Sequence, residues 1–286
     1  MDKMGKEKNG GVYRKRNNKT QQQKGESPMK MKAIYRVALM VAAVALLAII
    51  SMPVYASKTD DRIESSAKKS YVFKTYLKGD DIKIQSKDGV VTLTGTVAEE
   101  SHKSLAQETV ADLPGVKSVD NRLEVKGERP AENSDTWVHM KVKTALLFHH
   151  SVSGFKTEVD VKDGIVTLRG EATSQAQKDL TTEYAKDVEG VKDVKNEMTV
   201  AKTSVKPDKT VGEKVDDASI TAQVKMTLLF HRSTSALSTK VETNDGVVTM
   251  YGKASNAAEK DLVNKLVNDI NGVKSVNNRM TIEESK

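Results

Sequence analysis

Short runs of alternating polar and apolar residues, each followed by an Asp-Gly pair, recur along the chain. In the middle of the sequence, residues 156–161 (KTEVDV) alternate with a period of two, which indicates a half-buried strand. Asp163-Gly164 then supplies the positive φ angle that a two-residue hairpin turn requires. Residues 165–169 (IVTLR) continue as a second strand, so the pattern predicts a β-hairpin.

Helical periodicity flanks this hairpin on both sides. A helix is predicted from an N-cap region at Asp135 through Phe148, and a second helix at 174–188 carries an apolar stripe. The stripe consists of Ala176, Leu180, Tyr184 and Val188. Residues 190–200 follow and end in a strand. This order predicts an α+β fold of αββαβ type, in which a three-stranded sheet carries both helices on one face.

The same unit occurs three times. The hairpin block at 88–95 recurs at 163–170 and 245–252, and the closing block at 115–125 recurs at 190–200 and 272–282, both with offsets of 75 and 82 residues. Two blocks that stay in register across three copies indicate internal repeats. We therefore predict modules at 58–126, 134–202 and 214–283, joined by linkers that contain Pro130 and Pro207.

The glycines of the two blocks are expected to be structural. They are Gly89, Gly164 and Gly246 in the turns, Gly95, Gly170 and Gly252 at strand ends, and Gly115, Gly190 and Gly272 at the start of the closing blocks. An Asp-Gly pair between two strands is a hairpin turn far more often than a phosphate loop. The glycines at strand ends are expected to allow a bulge or close helix packing.

The second and third copies form the closer pair. Residues 142–151 (VKTALLFHHS) align with residues 224–233 (VKMTLLFHRS) at the offset of 82. The first copy is interpreted as about five residues shorter between its first helix and its hairpin, because Leu77 lies 11 residues before Asp88 whereas Leu147 lies 16 before Asp163. That difference leaves open whether the first copy shares any binding role.

The N-terminal segment has the three parts of a secretory signal. Basic residues at 29–36 precede an uncharged run at 37–50 (VALMVAAVALLAII), and small residues follow, so we predict cleavage after Ala56 and a signal peptide at 29–56. The alternative is an uncleaved N-terminal anchor, and both interpretations place the modules outside the cytoplasm, in the periplasm. Residues 1–28 are polar and are expected to be disordered, and our hypothesis is that they reflect a start codon assigned too early.

The basic charge of the chain belongs to this leader. Residues 1–56 contain 11 Lys and Arg against 3 Asp and Glu, whereas the remaining residues contain 35 against 36. A nucleic-acid partner is therefore not expected, since it requires a basic surface. The absence of cysteine excludes disulfides, thiolate metal sites and attachment through an acylated Cys.

The triplicated motifs D-G-[VI]-V-T-[LM]-x-G and G-V-K-x-V-x-N resemble the BON domain, named for bacterial osmotically inducible and nodulation proteins. The resemblance covers roughly residues 60 to 283, and the chain is similar to osmotically inducible periplasmic members of this family with a third copy added. It implies a role in the envelope under osmotic stress and association with phospholipids.

No catalytic constellation is predicted, so the protein is not expected to be an enzyme or to hold a cofactor. A metal site is also not expected at the histidines, since His149 and His150 point to different faces of a helix and His139, ten residues before His149, does not share a face with it. The copies contain no phosphate-binding glycine motif of the GxxxxGK[ST] or GxGxxG type.

The first helices of the second and third copies each carry two apolar stripes, although one is enough to pack on a three-stranded sheet. The second stripes either pack the two copies together or form an exposed edge at a lipid headgroup interface, flanked by cations. The predicted lipid or partner contacts are Trp137, Met140, Leu147, Phe148, Met226, Leu229, Phe230, Lys143, Lys225 and Arg232.

Three functions are compatible with these features. The first is peripheral binding of phospholipid membrane surfaces, which the resemblance favours. The second is a periplasmic chaperone that holds unfolded proteins on its apolar stripes, and the third is a module that tethers envelope components. Aromatic residues that could stack on sugars are sparse, with Trp137 the only tryptophan.

Overall fold

A computed structural model describes residues 58–201, 214–234 and 239–283. The N-terminal extension, the predicted signal peptide with its cleavage site at Ala56, and the whole of the second linker lie outside these residues. Residues 56–286 belong to one compact unit of the chain. Within the described ranges, no helix is long and apolar enough to cross a membrane.

The first module is an αββαβ unit whose first helix is broken. Its elements are α1 Lys58–Lys69, α2 Tyr71–Thr75, β1 Asp81–Lys87, β2 Val90–Val97, α3 Glu100–Ala111 and β3 Ser118–Val125. Strand β2 lies in the centre of the sheet, antiparallel to β1 and parallel to β3. The parallel pairing requires a crossover, which α3 supplies.

The second module repeats this topology with an unbroken first helix. Its elements are α4 Asp135–Phe148, a 3₁₀ turn at Gly154–Lys156, β4 Glu158–Lys162, β5 Ile165–Arg169, β6 Glu171–Ala172, α5 Gln175–Asp187, β7 Asp193–Asn196 and β8 Thr199–Val200. Strand β5 pairs antiparallel with β4 and parallel with β7. The short strands β6 and β8 extend the same parallel pairing beyond a break in each strand.

The third module follows the same order. Its elements are α6 Asp217–Phe230, β9 Thr239–Asn244, β10 Val247–Ala254, α7 Ala257–Asn268, β11 Ser275–Asn278 and β12 Thr281–Ile282. Strand β10 pairs antiparallel with β9 and parallel with β11 and β12. The predicted α+β fold class is therefore confirmed, with a helical layer and a sheet in each module.

An aspartate in the first turn of each first helix holds the Asp-Gly hairpin. In the second module, the carboxylate of Asp135 accepts hydrogen bonds of 2.8 Å from the backbone N–H groups of both Asp163 and Gly164. Asp60 and Asp217 make the same pair of bonds in the other modules, again 28 and 29 residues before their partners. Ser134, and not the predicted Asp135, caps the helix, because its side chain accepts from Trp137 N–H.

The asparagine of each closing block also forms hydrogen bonds within its own module. Asn196 donates to the carbonyl oxygen of Lys178 in α5 (2.8 Å), and its side-chain oxygen accepts from Met198 N–H (3.0 Å). Asn121 and Asn278 make the same two kinds of bond in their modules. The asparagine therefore fastens the third strand to the second helix. Both repeated motifs are explained by the fold itself.

The prediction that the first copy is about five residues shorter is wrong. Asp60 precedes its hairpin by the same 28 residues as Asp135 and Asp217 do. The first helix instead ends at Lys69, and Ser70 caps the short helix α2 by accepting from Phe73 N–H. Leu77 and Leu147 are residues of the same type, but the break in the first helix means that they do not occupy equivalent positions in the two modules.

The strand-end glycines relieve contact between strands. At Gly95 (φ 116°), a Cβ atom would lie 2.0 Å from the Asp81 carbonyl oxygen of the neighbouring strand. At Gly170 (φ 124°), it would lie 2.5 Å from the Lys156 carbonyl oxygen. The close neighbour is thus backbone at or just before the first strand of the hairpin, and not the second helix of the module.

The modules do not have three separate cores. Buried residues of the first and third modules form one continuous cluster, which also includes Phe148 of the second module. The other buried residues of the second module form a cluster of their own. The central element is α6, in which 11 of 14 residues are buried. Packing therefore joins modules that are not consecutive in the chain.

Candidate functional site at the junction of the modules

The second and third modules are joined by two reciprocal backbone connections. The segment that follows α4 pairs with the end of α7, where His149 forms an antiparallel bridge with Ile270. The segment that follows α6 pairs in the same way with the end of α5, through Val188 and His231. The flanking bonds run from His150 N–H to Asp269 O, Asn271 N–H to Phe148 O, Arg232 N–H to Asp187 O and Glu189 N–H to Phe230 O.

Each connection contains a buried histidine against an aspartate of the other module. Nδ1 of His231 lies 3.0 Å from Asp187 Oδ2, and Nδ1 of His149 lies 3.3 Å from Asp269 Oδ2. Ser233 and Ser151 donate their hydroxyls to the same two carboxylates. The imidazole rings are 5.8 Å apart, and both Nε2 atoms lack a partner among the described residues. We call these four side chains, His149, His231, Asp187 and Asp269, the His–Asp clasp.

The protonation states in the clasp follow from burial and hydrogen bonding. Burial lowers the pKa of His149, which favours the neutral ring. Burial alone would raise the pKa of Asp187, but hydrogen bonds from His231 and Ser233 and the charge of Arg232 lower it overall. The hydrogen bonds that Asp269 accepts from Ser151 and Tyr184, together with the His149 ring 3.3 Å away, likewise outweigh its burial and lower its pKa. The clasp therefore holds two carboxylates in their charged form.

Tyr76 connects all three modules. Its hydroxyl lies 3.2 Å from two acceptors, the Leu147 carbonyl oxygen in the second module and Gln223 Oε1 in the third. It also accepts from Asn271 Nδ2 at 3.3 Å. The Tyr76 ring meets Phe148 edge-on at 5.2 Å between centroids. Burial raises the pKa of Tyr76, so the hydroxyl remains protonated and able to donate.

The first and third modules share further polar contacts beside their common core. Asp216, which caps α6 by accepting from Ser219 N–H, also accepts from Tyr71 N–H at 2.7 Å. Lys225 pairs with Glu108 at 2.9 Å. Asp112, which aligns with the clasp aspartates, has no histidine opposite it, and burial raises its pKa. Within the described residues, a His–Asp pair between modules therefore occurs only between the second and the third, whereas the first module has a pair within itself, His102 and Asp80 at 2.6 Å.

The apolar contacts predicted on the second stripes lie mostly inside these junctions. Phe148, Phe230, Met140 and Met226 are buried, and Trp137 and Leu147 are half-buried. Phe148 packs on the core shared by the first and third modules. The expectation of an exposed aromatic edge is therefore corrected, because Phe148, Phe230, Met226 and Leu147 belong to or pack against the core shared between modules and Trp137 packs against the core of its own module. Leu229 alone of the apolar set is largely exposed.

The predicted cations make contacts within the protein and do not form a common surface. Lys143 donates to the carbonyl oxygens of Gly154 (2.9 Å) and Thr157 (2.5 Å), which braces the 3₁₀ turn. Arg232 donates to the carbonyl oxygens of Lys186, Val188 and Val191. Lys225 is engaged with Glu108. A further lysine, Lys141, lies 3.7 Å from the centre of the Trp137 ring and 2.6 Å from Glu189.

Two kinds of exposed feature remain as candidates for binding. Phe155, on the braced 3₁₀ turn, is 63% exposed and stacks on Tyr76 with ring centres 6.0 Å apart. A cleft of about 560 Å³ lies between α5 and α7, and a smaller one of about 330 Å³ lies between α3 and α6. No group of three or more His, Asp or Glu side chains in the described ranges is arranged to hold a metal ion.

The sequence contained signals for some of the residues that its interpretation missed. The aspartates that hold the hairpins recur at a constant 28 residues before the Asp-Gly pair. The shared F-H-x-S ending of α4 and α6 marks the clasp histidines and serines. Phe155 gave no such signal, because only the arrangement of the modules leaves its ring exposed.

Comparison with protein families matches the BON domain at residues 59–127, 134–202 and 216–284. Osmotically-inducible protein Y of Escherichia coli is 33% identical over 144 residues, which cover 50% of this chain and 70% of that protein. The outer membrane lipoprotein DolP of Haemophilus influenzae is 32% identical over 117 residues, which cover 40% and 56% of the two chains. CdsD, a structural protein of the type III secretion system of Chlamydia trachomatis, superposes at 16% identity over 78% of this chain and 91% of its own with a TM-score of 0.22, too low to support a conclusion. The chain therefore belongs to the BON domain family and carries three copies of that domain.

Proposed function

We propose that this protein is a non-enzymatic, periplasmic component of the envelope that binds phospholipid surfaces under osmotic stress. The names of its relatives support the setting, since one is osmotically inducible and another is an outer membrane lipoprotein. The signal-like segment at 29–56 supports export. The nearly neutral body beyond residue 56 means that contact with anionic lipid depends on local features.

The observation that carries this proposal is the exposure of Phe155. An aromatic side chain that projects from a fixed turn suits the lipid headgroup interface, where its ring leaves water while the backbone remains hydrated. Lys143 braces the carbonyl oxygens of the turn, and Tyr76 supports one face of the ring. Little conformational entropy is therefore lost when the ring enters a membrane.

Co-sedimentation with vesicles of phosphatidylethanolamine and phosphatidylglycerol tests the proposal, with residues 56–286 so that the leader does not contribute. The variant Phe155→Ser should bind about tenfold more weakly, because burial of a large apolar side chain is worth a little more than 1.4 kcal/mol. The control is Ile282→Ser, which removes another exposed apolar side chain, 47% exposed, at the C-terminal strand of the third module.

No binding by the unaltered protein at low salt, or equal loss in both variants, would count against a membrane contact at Phe155. Phe148→Ser and Phe230→Ser are unsuitable for this test, since both side chains are buried and their loss would disturb the fold. The position that aligns with Phe155 in the third module, Leu237, lies outside the described residues.

A periplasmic chaperone that holds unfolded proteins is the alternative proposal. This alternative required apolar stripes without a partner in the protein. Phe148, Phe230 and Met226 are buried between modules, so most of the apolar surface that a client would contact is already covered. Exposed Leu229 and the two interhelical clefts remain as apolar surface for a client. Suppression of the aggregation of a denatured client in the absence of vesicles would favour this alternative, provided that Phe155→Ser leaves it unchanged.

A further inference from the structure

The cleft between α5 and α7 has an apolar floor built by both modules. Leu180 and Tyr184 line it from α5, and Leu262 and Leu266 line it from α7. These side chains occupy equivalent positions in the two copies, 82 residues apart. On each helix the residue that follows them faces the sheet instead, as the burial of Thr181, Ala185, Val263 and Val267 indicates. Leu266 is buried, whereas Leu180, Tyr184 and Leu262 are half-buried and leave part of their apolar surface open to the cleft, although Leu180 and Tyr184 also pack against the core of the second module.

The rim of the cleft carries an excess of positive charge. Lys186, Lys265 and Arg232 contribute three cations against Glu183 and Asp187. Asp187 is engaged by His231 and Ser233, whereas the Arg232 guanidinium donates to the backbone carbonyls of Lys186, Val188 and Val191. Lys186 and Lys265 are exposed and form no ion pair within the described part of the chain. An apolar floor with such a rim is complementary to an anionic amphiphile.

The smaller cleft between α3 and α6 differs in its apolar lining and in its charge. Its volume is about 330 Å³, against about 560 Å³, and its apolar lining is limited to Met226 and Leu229. Two of its four charged residues, Lys225 and Glu108, neutralise each other at 2.9 Å. The other two charged residues, Lys103 and Glu100, carry opposite charges, so the lining has no net charge. The comparison favours the cleft between α5 and α7 as the lipid site.

We infer that the cleft between α5 and α7 binds one acyl chain of an anionic phospholipid, with the phosphate beside Lys186 and Lys265. The inference deepens the proposed function and rests on it for the class of ligand, but the site is distinct from Phe155. The floor is joined to the clasp, since Tyr184 stacks on His149 at 4.0 Å and donates its hydroxyl to Asp269 at 2.7 Å. A chain on the floor therefore lies against the side chains that join the second and third modules.

Calorimetric titration of residues 56–286 with lysophosphatidylglycerol below its micellar concentration tests the inference. Each methylene that enters the cleft should tighten binding about fourfold, so a dodecanoyl chain should bind about fifteenfold more tightly than a decanoyl chain. The zwitterionic lysophosphatidylcholine of equal length should bind severalfold more weakly. The variant Lys186→Gln/Lys265→Gln should abolish that preference while keeping the dependence on chain length.

The floor is tested by Leu180→Asn/Leu262→Asn, which should weaken binding at least tenfold, with Leu229→Asn in the other cleft as the matched control. Both variants are first checked for unchanged thermal unfolding. A titration without dependence on chain length, or equal binding by the floor variant and its control, would overturn the inference. Vesicle binding that persists with no titration signal would overturn this site and leave the proposed function standing. Titration without vesicle binding would support the site and refute surface binding.

Discussion

The imidazole of His231 in the third module lies 3.0 Å, Nδ1 to Oδ2, from the carboxylate of Asp187 in the second. In the reciprocal pair, Nδ1 of His149 in the second module lies 3.3 Å from Oδ2 of Asp269 in the third. Both imidazole side chains are fully buried. The junction thus depends on charged aspartates beside buried imidazoles, and each module contributes one of each to it.

The clasp should make the protein sensitive to mild acid. Burial lowers the pKa of His149, so below the ordinary histidine value of about 6.5 the unfolded chain binds a proton that the folded chain resists. Protonation would also bury an N–H group at Nε2, where the described residues offer no acceptor. Stability contributed by His149 is therefore present above about pH 6.5 and lost as the pH falls below it. The stability contributed by the two carboxylates is lost only at lower pH, since Asp187 and Asp269 have pKa values lowered from 3.8.

Thermal unfolding between pH 7.5 and 5 measures this effect, and Tm should fall across that interval. The control variant His149→Asn/His231→Asn keeps a donor near each Nδ1 position but removes both imidazole rings. Its Tm should be lower at pH 7.5 and nearly constant down to pH 5. A wild-type Tm that does not change over this interval would contradict the prediction.

The aspartates that hold the hairpins should be essential to their modules. Asp60 is buried and accepts from Ser86 Oγ (2.6 Å), Asp88 N–H (3.1 Å) and Gly89 N–H (3.0 Å). Asp60→Ala should lower the free energy of unfolding by about 1–3 kcal/mol for each donor left buried without a partner. Urea denaturation measures the loss. Asp61→Ala, on the exposed side of the same helical turn, is the control and should change stability by less than about 0.5 kcal/mol.

The module fold was predictable because its determinants are local. The Asp-Gly turns require positive φ, and Asp88, Asp163 and Asp245 do adopt it together with the glycines that follow. The apolar stripe on α5 was less predictable. Ala176 is exposed and Leu180 and Tyr184 are only partly buried, while Thr181 and Ala185 face the core. Periodicity could not distinguish residues that face the sheet from residues that face the helix of another module.

The candidate site was less predictable for the same reason. Two apolar stripes on α4 and α6 correctly indicated a second partner, and packing between modules was one of the two interpretations. Which modules meet depends on their arrangement, and no sequence pattern indicated that the first module packs on the third. The histidines were considered only as metal ligands within one helix. Their aspartate partners lie in another module, more than 40 residues away in both cases.

Loss of the Tyr76 hydroxyl should loosen the contact of all three modules at once. Tyr76→Phe keeps the ring against Phe148 but removes the group shared by Leu147, Gln223 and Asn271. The expected loss is about 1–2 kcal/mol, because a buried carbonyl and two amide groups lose a partner. Unfolding followed by Trp137 fluorescence and by circular dichroism should then cease to coincide, since Trp137 reports on the second module alone. Tyr71→Phe is the control, and coincident transitions in Tyr76→Phe would contradict the prediction.

The two phenylalanines near Tyr76 should differ sharply in their contribution to stability. Phe148 is fully buried in the core shared by the first and third modules, so Phe148→Ala should destabilise the protein by about 3–5 kcal/mol through lost burial and a cavity. Phe155 is 63% exposed, and Phe155→Ala should cost less than about 1 kcal/mol. Chemical denaturation of both variants measures the difference. Similar losses in the two variants would mean that Phe155 belongs to the core and would remove the basis for its role at a membrane. A near-neutral Phe148→Ala would instead contradict the packing of the second module on the other two.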